Sequence, residues 1–247
     1  MDARLDMRIA HDGQANVARR LAVLLRRYER NLRSLIDWID PSWLAGLVPS
    51  GAVELAVDTA EREQLSLAVA ERLGVSAPPL SSFDTKASDG LGMLEVQEVL
   101  DLCRIRALLF RRAELRSWID RPSRERVSQW VGHDATFFVR ALQVMPDAPK
   151  VERLTRTGHA PELAALTASQ LAWEGWTLFA CDDRTNERGP SWLLRFALPR
   201  EVDATPWIAH RSLFEQSAYG LDNERVFLQL KHWFGQRTWS SGFDSQG

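Results

Sequence analysis

Lysine is nearly missing from this chain. Of 31 basic residues only Lys86, Lys150 and Lys231 are lysines. The rest are arginines, and together with the many alanines they point to a GC-rich genome. The formal net charge is −2. That argues against a general polyanion binder, since such proteins are usually basic overall. Two cysteines, Cys103 and Cys181, build neither a disulfide framework nor a CxxC metal knuckle, and a reducing compartment fits them best. No run approaches the ~20 apolar residues a membrane-spanning helix needs. The opening stretch MDARLDMRIAHDGQ lacks the apolar core of a Sec-type signal. A cytoplasmic protein is expected.

Catalytic signatures are missing as well. No GxSxG, HExxH, GxxxxGK[ST] or GxGxxG occurs. His11, His133, His159, His210 and His232 are scattered. The pair His133-Asp134 reads as a turn with Asp134 as helix N-cap, because adjacent side chains seldom face each other. Cys103 lies on an apolar helix face and reads as a core thiol rather than a nucleophile. A site would reappear only if His133, Cys181 and a carboxylate converged in one cleft. No enzyme, metal or cofactor is expected.

What is present is helical periodicity. Val17, Leu21, Leu24, Tyr28, Leu32, Leu35 and Ile39 recur at intervals of three and four, which predicts a helix over 14–39. Arg19, Arg26, Arg30 and Arg33 lie opposite. Asp40-Pro41 ends this helix and starts a short one carrying Trp43, Leu44 and Leu47. At that corner Trp43 and Leu44 either pack back onto the chain or anchor a partner. Asp58 and Glu61 resemble a capping box opening a helix that Gly74 stops. Residues 75–92 read as a loop. The longest helix is expected at 93–119, with Val96, Val99, Cys103, Ala107 and Phe110 on one face and Gln97, Asp101, Arg104 and Arg111 on the other. Asp120-Arg121-Pro122 repeats the break-and-restart device before Val127, Trp130 and Val131. Phe137, Phe138, Ala141 and Leu142 mark the next helix. Pro161 begins another running to about Ala180, and Asn223 could cap a final one.

The expected fold is mostly α, an irregular helical domain with long amphipathic helices and room for a few short strands in the C-terminal part. SWLLRFAL at 191–198 is the strand candidate. Residues 1–146 would form an N-terminal helical lobe, 147–160 a hinge, and 161–247 a C-terminal lobe, unless all form one continuous domain. The ten tryptophans fill a helical core or serve as interface anchors, where Trp and Arg are enriched. The arginine groups, Arg26, Arg30 and Arg33 on one helix and Arg104 and Arg111 on another, are solvated faces or contacts. As a target, an acidic protein surface suits the net charge better than DNA.

One stretch carries more. Tyr28-x-x-Asn31 followed by Ile39-Asp40-Pro41-Ser42-Trp43-Leu44 resembles the N-terminal signature of the SctK family of bacterial type III secretion proteins. The run Arg106-Ala107-Leu108-Leu109-Phe110-Arg111-Arg112 and Ile119-Asp120-Arg121 resemble its Hrp-type members from plant-associated bacteria. The resemblance covers about residues 20–145. It implies a mostly helical, non-enzymatic, cofactor-free adaptor of the sorting platform. Such a protein sits beneath the inner-membrane ring and links the cytoplasmic domain of that ring to the pod/C-ring protein, with a stator protein further in. Membrane association would be indirect, and nucleic acid would not be a partner. No family catalytic residues carry over. The alternative from another class is a helical nucleic-acid-binding regulator using the Arg26/Arg30/Arg33 face, which predicts steeply salt-dependent binding.

Overall fold

The computed structural model describes residues 3–49, 51–56, 58–83, 91–92, 94–132, 135–145, 160–182 and 190–200, with 226, 229 and 232. The described part is mostly helical, as expected, and contains no strand.

The first helix, α1 (Ala3–Arg33), is the longest. The single helix expected to run to residue 39 instead breaks at Ser34 and resumes as α2 (Leu35–Trp38). Ser34 Oγ donates to the Arg30 carbonyl at 3.0 Å, a side-chain bond that competes with the helical ladder. The Ile36 N–H past the break donates to Ser66 Oγ at 3.1 Å. A neighbouring helix thus satisfies a donor that the break would have left unpaired. Asp40 then caps α3 (Pro41–Leu44), accepting from Ser42 N at 3.0 Å, with Pro41 preset for the first helical position. A single turn, α4 (Ala52–Leu55), precedes α5 (Thr59–Arg72). The expected capping box opens α5, with Glu61 N donating to Asp58 Oδ1 at 2.7 Å. Arg62 holds α5 to α2 through Asp37.

The helix expected at 93–119 is also two pieces, α6 (Val96–Phe110) and α7 (Arg112–Leu115), parted at Arg111. The expected two-faced character fails too. Asp101, Leu102, Cys103, Ile105, Arg106 and Leu108 are all buried, so α6 is enclosed on nearly every side. Asp120 caps α8 (Arg121–Val131), accepting from Ser123 N at 2.9 Å, and Gly132 at φ +70° closes it. Helix α9 (Thr136–Val144) follows, burying Phe138 and Leu142 and exposing Phe137. Pro161 does not begin the next helix. A 3₁₀ turn, Leu163–Ala165, comes first. Then α10 (Ala168–Asp182) starts at a reciprocal cap between Thr167 and Gln170, with bonds of 2.9 and 3.2 Å.

The strand candidate is a 3₁₀ helix, Pro190–Ala197. Its Leu193 and Phe196 enter a core cluster formed with Leu35, Ile36, Ile39, Trp43 and Val69. Its Leu194, with Leu198, enters the larger cluster centred on α6, α8, α9 and α10. A strand would send alternate residues to two faces of a sheet. Here one tight segment wedges between two helical clusters instead. Residues 133 and 134, the expected hinge up to 159, and the final helix apart from three residues lie outside the described part. Val226, Gln229 and His232 are helical.

Candidate partner-binding surfaces

The corner at Trp43 is a joint between distant parts of the chain. The tetrapeptide Pro-Ser-Trp-Leu occurs twice, at 41–44 and again at 190–193, and the two neighbourhoods meet. Trp43 packs edge-on against Phe196, ring centroids 4.9 Å apart. Its indole N–H donates to the Leu198 carbonyl at 2.7 Å. Asp40 N donates to the Phe196 carbonyl at 2.8 Å, and Arg200 N to Ser42 Oγ at 2.7 Å. Trp173 of α10 donates to the Pro199 carbonyl at 2.9 Å. Trp43 is buried and Leu44 half-buried. Of the two readings of this corner, packing back is therefore the one the geometry displays. Trp38 joins the same cluster and donates to the Asn31 carbonyl at 3.0 Å.

The α1 arginines divide into outward and tethered. Arg19 and Arg26 are exposed. Arg30 is two-thirds exposed and lies 4.0 Å from Glu95. Arg27, beside the stripe, pairs with Glu95, and Arg33 pairs with Glu29 at 2.8 Å and also with Glu63 of α5. These carboxylates hold the Arg33 guanidinium above its ordinary value, the Glu29 hydrogen bond first. The stripe is thus basic toward its N-terminal end and neutralised where α1 meets α5. Val17 and Val23 are exposed on the same stretch, and Leu24 is the first buried residue of α1 with a described side chain.

The second arginine group turns inward. Arg111 has no exposed side-chain surface. It meets Glu174 of α10 through Nε at 2.7 Å and Nη2 at 2.8 Å, Glu114 at 2.9 Å and the Pro161 carbonyl at 2.9 Å. Burial opposes its charge, but Glu174 and Glu114 outweigh that, and its pKa is raised. Arg104 donates to Asp101 at 2.7 Å and to the carbonyls of Trp130 and Ala168. The sequence placed both on an outer face. The structure places them in the seams between α6, α8 and α10, so as described they hold the core together. Reasoning from sequence missed Glu174, and with it the whole pair. It also missed Arg126, which lies over Trp130 at 4.7 Å and donates to the carbonyls of Ala164 and Leu166. The missed cap at Thr167-x-x-Gln170 left a readable signal; Glu174 left none.

Nothing described here is arranged for covalent chemistry. Burial pushes the Cys103 thiol up to about 12, so it stays protonated inside α6. Among the described residues no three His, Cys, Asp or Glu side chains gather to hold a metal ion. None of the described helices is long and apolar enough to cross a membrane. An open cleft of about 520 Å³ lies along α8 between Ile119, Arg124 and Gln129.

The family model for a bacterial type III secretion protein, HrpB4, matches residues 14–234. The chain belongs to this family. The expected Hrp-type membership is thereby borne out, and over more of the chain than the resemblance covered. The HrpB4 match takes in the 190–200 segment that seats Trp43. No curated protein and no solved structure matches the chain.

Proposed function

We propose that the chain is a non-enzymatic cytoplasmic adaptor of the type III secretion sorting platform. It links the cytoplasmic domain of the inner-membrane ring to the pod/C-ring protein, with the stator protein as a further neighbour. It reaches the membrane only through those proteins. The observation that carries the reading is the outer end of α1. There Arg19 stands in solvent beside exposed Val17 and Val23, and Arg26 and Arg30 stay on the exposed face past Leu24, where the helix first turns a residue into the core. A basic rim beside apolar surface suits an acidic protein partner, and such rims set on-rate and salt dependence more than affinity.

The test is co-purification from a type III-positive bacterium at low and moderate salt, with wild type and an Arg26→Glu/Arg30→Glu double variant. Both residues are exposed, so the variant should fold. The expected result is recovery of the pod or ring protein by wild type and a recovery reduced about tenfold by the reversal, more so at low salt. Recovery of nucleic acid without either secretion protein would replace the adaptor with the regulator.

A further inference from the structure

Most inward-turned arginines of this chain spend their N–H groups on acceptors. Arg104, Arg111, Arg112, Arg116 and Arg126 each donate to a carboxylate or a carbonyl. Arg195 differs. Its guanidinium carbon lies over Trp192 at 4.8 Å, over Trp43 at 5.5 Å and over Trp173 at 5.9 Å. Among the described residues none of its guanidinium N–H groups meets an acceptor, and no carboxylate lies within ion-pair distance. Burial pulls its pKa below the ordinary arginine value, the reverse of Arg33 and Arg111, which carboxylates raise. Contact with ring faces stabilises the charge but uses none of the five donors. Arg200 adds a second cation over the Trp43 ring at 5.8 Å. The nearby carboxylate of Asp40 is engaged in capping α3. Trp192 remains partly exposed at 36%.

We propose that Arg195 and Trp192 form a docking point for an acidic segment of a partner protein. Arg195 receives one carboxylate in a two-pronged pair, and Trp192 packs against an apolar side chain beside that carboxylate. A guanidinium held by aromatic rings is already desolvated and oriented, so pairing it costs little ordering. Nucleic acid fits less well, because a phosphate backbone needs a track of cations. Among the described residues the cations over the Trp43 ring are Arg195 and Arg200, a pair rather than a track. The proposal rests on the adaptor reading for its class of partner, and it adds a contact at the Trp43 joint.

The experiment probes a peptide array with the labelled full chain, using wild type, Arg195→Met and Arg195→Lys. The array carries overlapping tiles of the pod protein and of the ring's cytoplasmic domain, beside scrambled peptides of matched composition. An oligo-dT strand is titrated in parallel. Wild type is expected to select peptides with Asp or Glu next to an apolar residue. Arg195→Met should lose about tenfold or more on those peptides. Arg195→Lys keeps the charge and gives up the fork, so it should lose severalfold, and it decides the matter if the methionine variant melts early. Selection with no acidic bias, or acidic binding indifferent to both variants, overturns the proposal. Oligo-dT binding that depends on Arg195 in place of peptide binding overturns it as well. Arg195-dependent binding confined to the scrambles keeps the docking point and sinks the adaptor reading. Tile binding that ignores Arg195 does the reverse.

Discussion

Asp101 carries a charge that its surroundings resist. Burial raises its pKa from 3.8 to about 6, although Gln97 and Arg104 both favour the ionised form. Ionising it is harder in the folded chain than in the unfolded one. Its contribution to stability is therefore fully present below pH 3.8 and is lost as pH rises through about 6. Between those values wild type should lose on the order of 3 kcal/mol relative to Asp101→Asn, which has no proton to give up. Urea titrations of both proteins at steps from pH 4 to 7 measure the difference directly, and a flat difference would show that the carboxylate is better solvated than its 5% exposure implies. The same side chain explains why position 132 is glycine. A Cβ there would lie 2.6 Å from Asp101 Oδ2, on a backbone already at φ +70°.

At the scale of elements, α6 and α10 approach so closely that a Cβ on Gly175 would fall 1.7 Å from the Cys103 carbonyl oxygen. The obstacle is backbone and cannot rotate away. Gly175→Ala should destabilise by about 3 kcal/mol or more, read as a drop in the urea midpoint. An unchanged midpoint would mean that the two helices are further apart than described. This contact also shows what the sequence could and could not disclose. The caps at Asp40, Asp58 and Asp120 were readable because each is settled within three residues. The break at Arg111 was not, because the guanidinium is drawn inward by Glu174, 63 residues away. SWLLRFAL looked equally fit for a strand because its structure is set by the two clusters it wedges between. The arginine surfaces divide in the same way. Arg26 and Arg30 are outward, as helical periodicity said, whereas Arg104 and Arg111 are inward because partners on α8 and α10 exist only in the folded chain.

Across the whole molecule, the two apolar clusters share the Pro190–Ala197 segment, and the Arg111–Glu174 pair ties α6 to α10. Neither cluster can open without exposing part of the other. Tryptophan fluorescence and far-UV circular dichroism should therefore report one coincident unfolding transition. Two separated transitions would instead mark an N-terminal and a C-terminal lobe. The bond from Trp43 to Leu198 also bears on how the protein is made. Its partners stand 155 residues apart. At roughly 5–20 residues per second, the second is synthesised some ~8–30 s after the first. For that interval a nascent chain holds α3 with no Phe196 to cover its tryptophan. The earliest folded species on the ribosome is therefore one whose apolar joint is open, and chaperone occupancy should peak before codon 200 and fall after it.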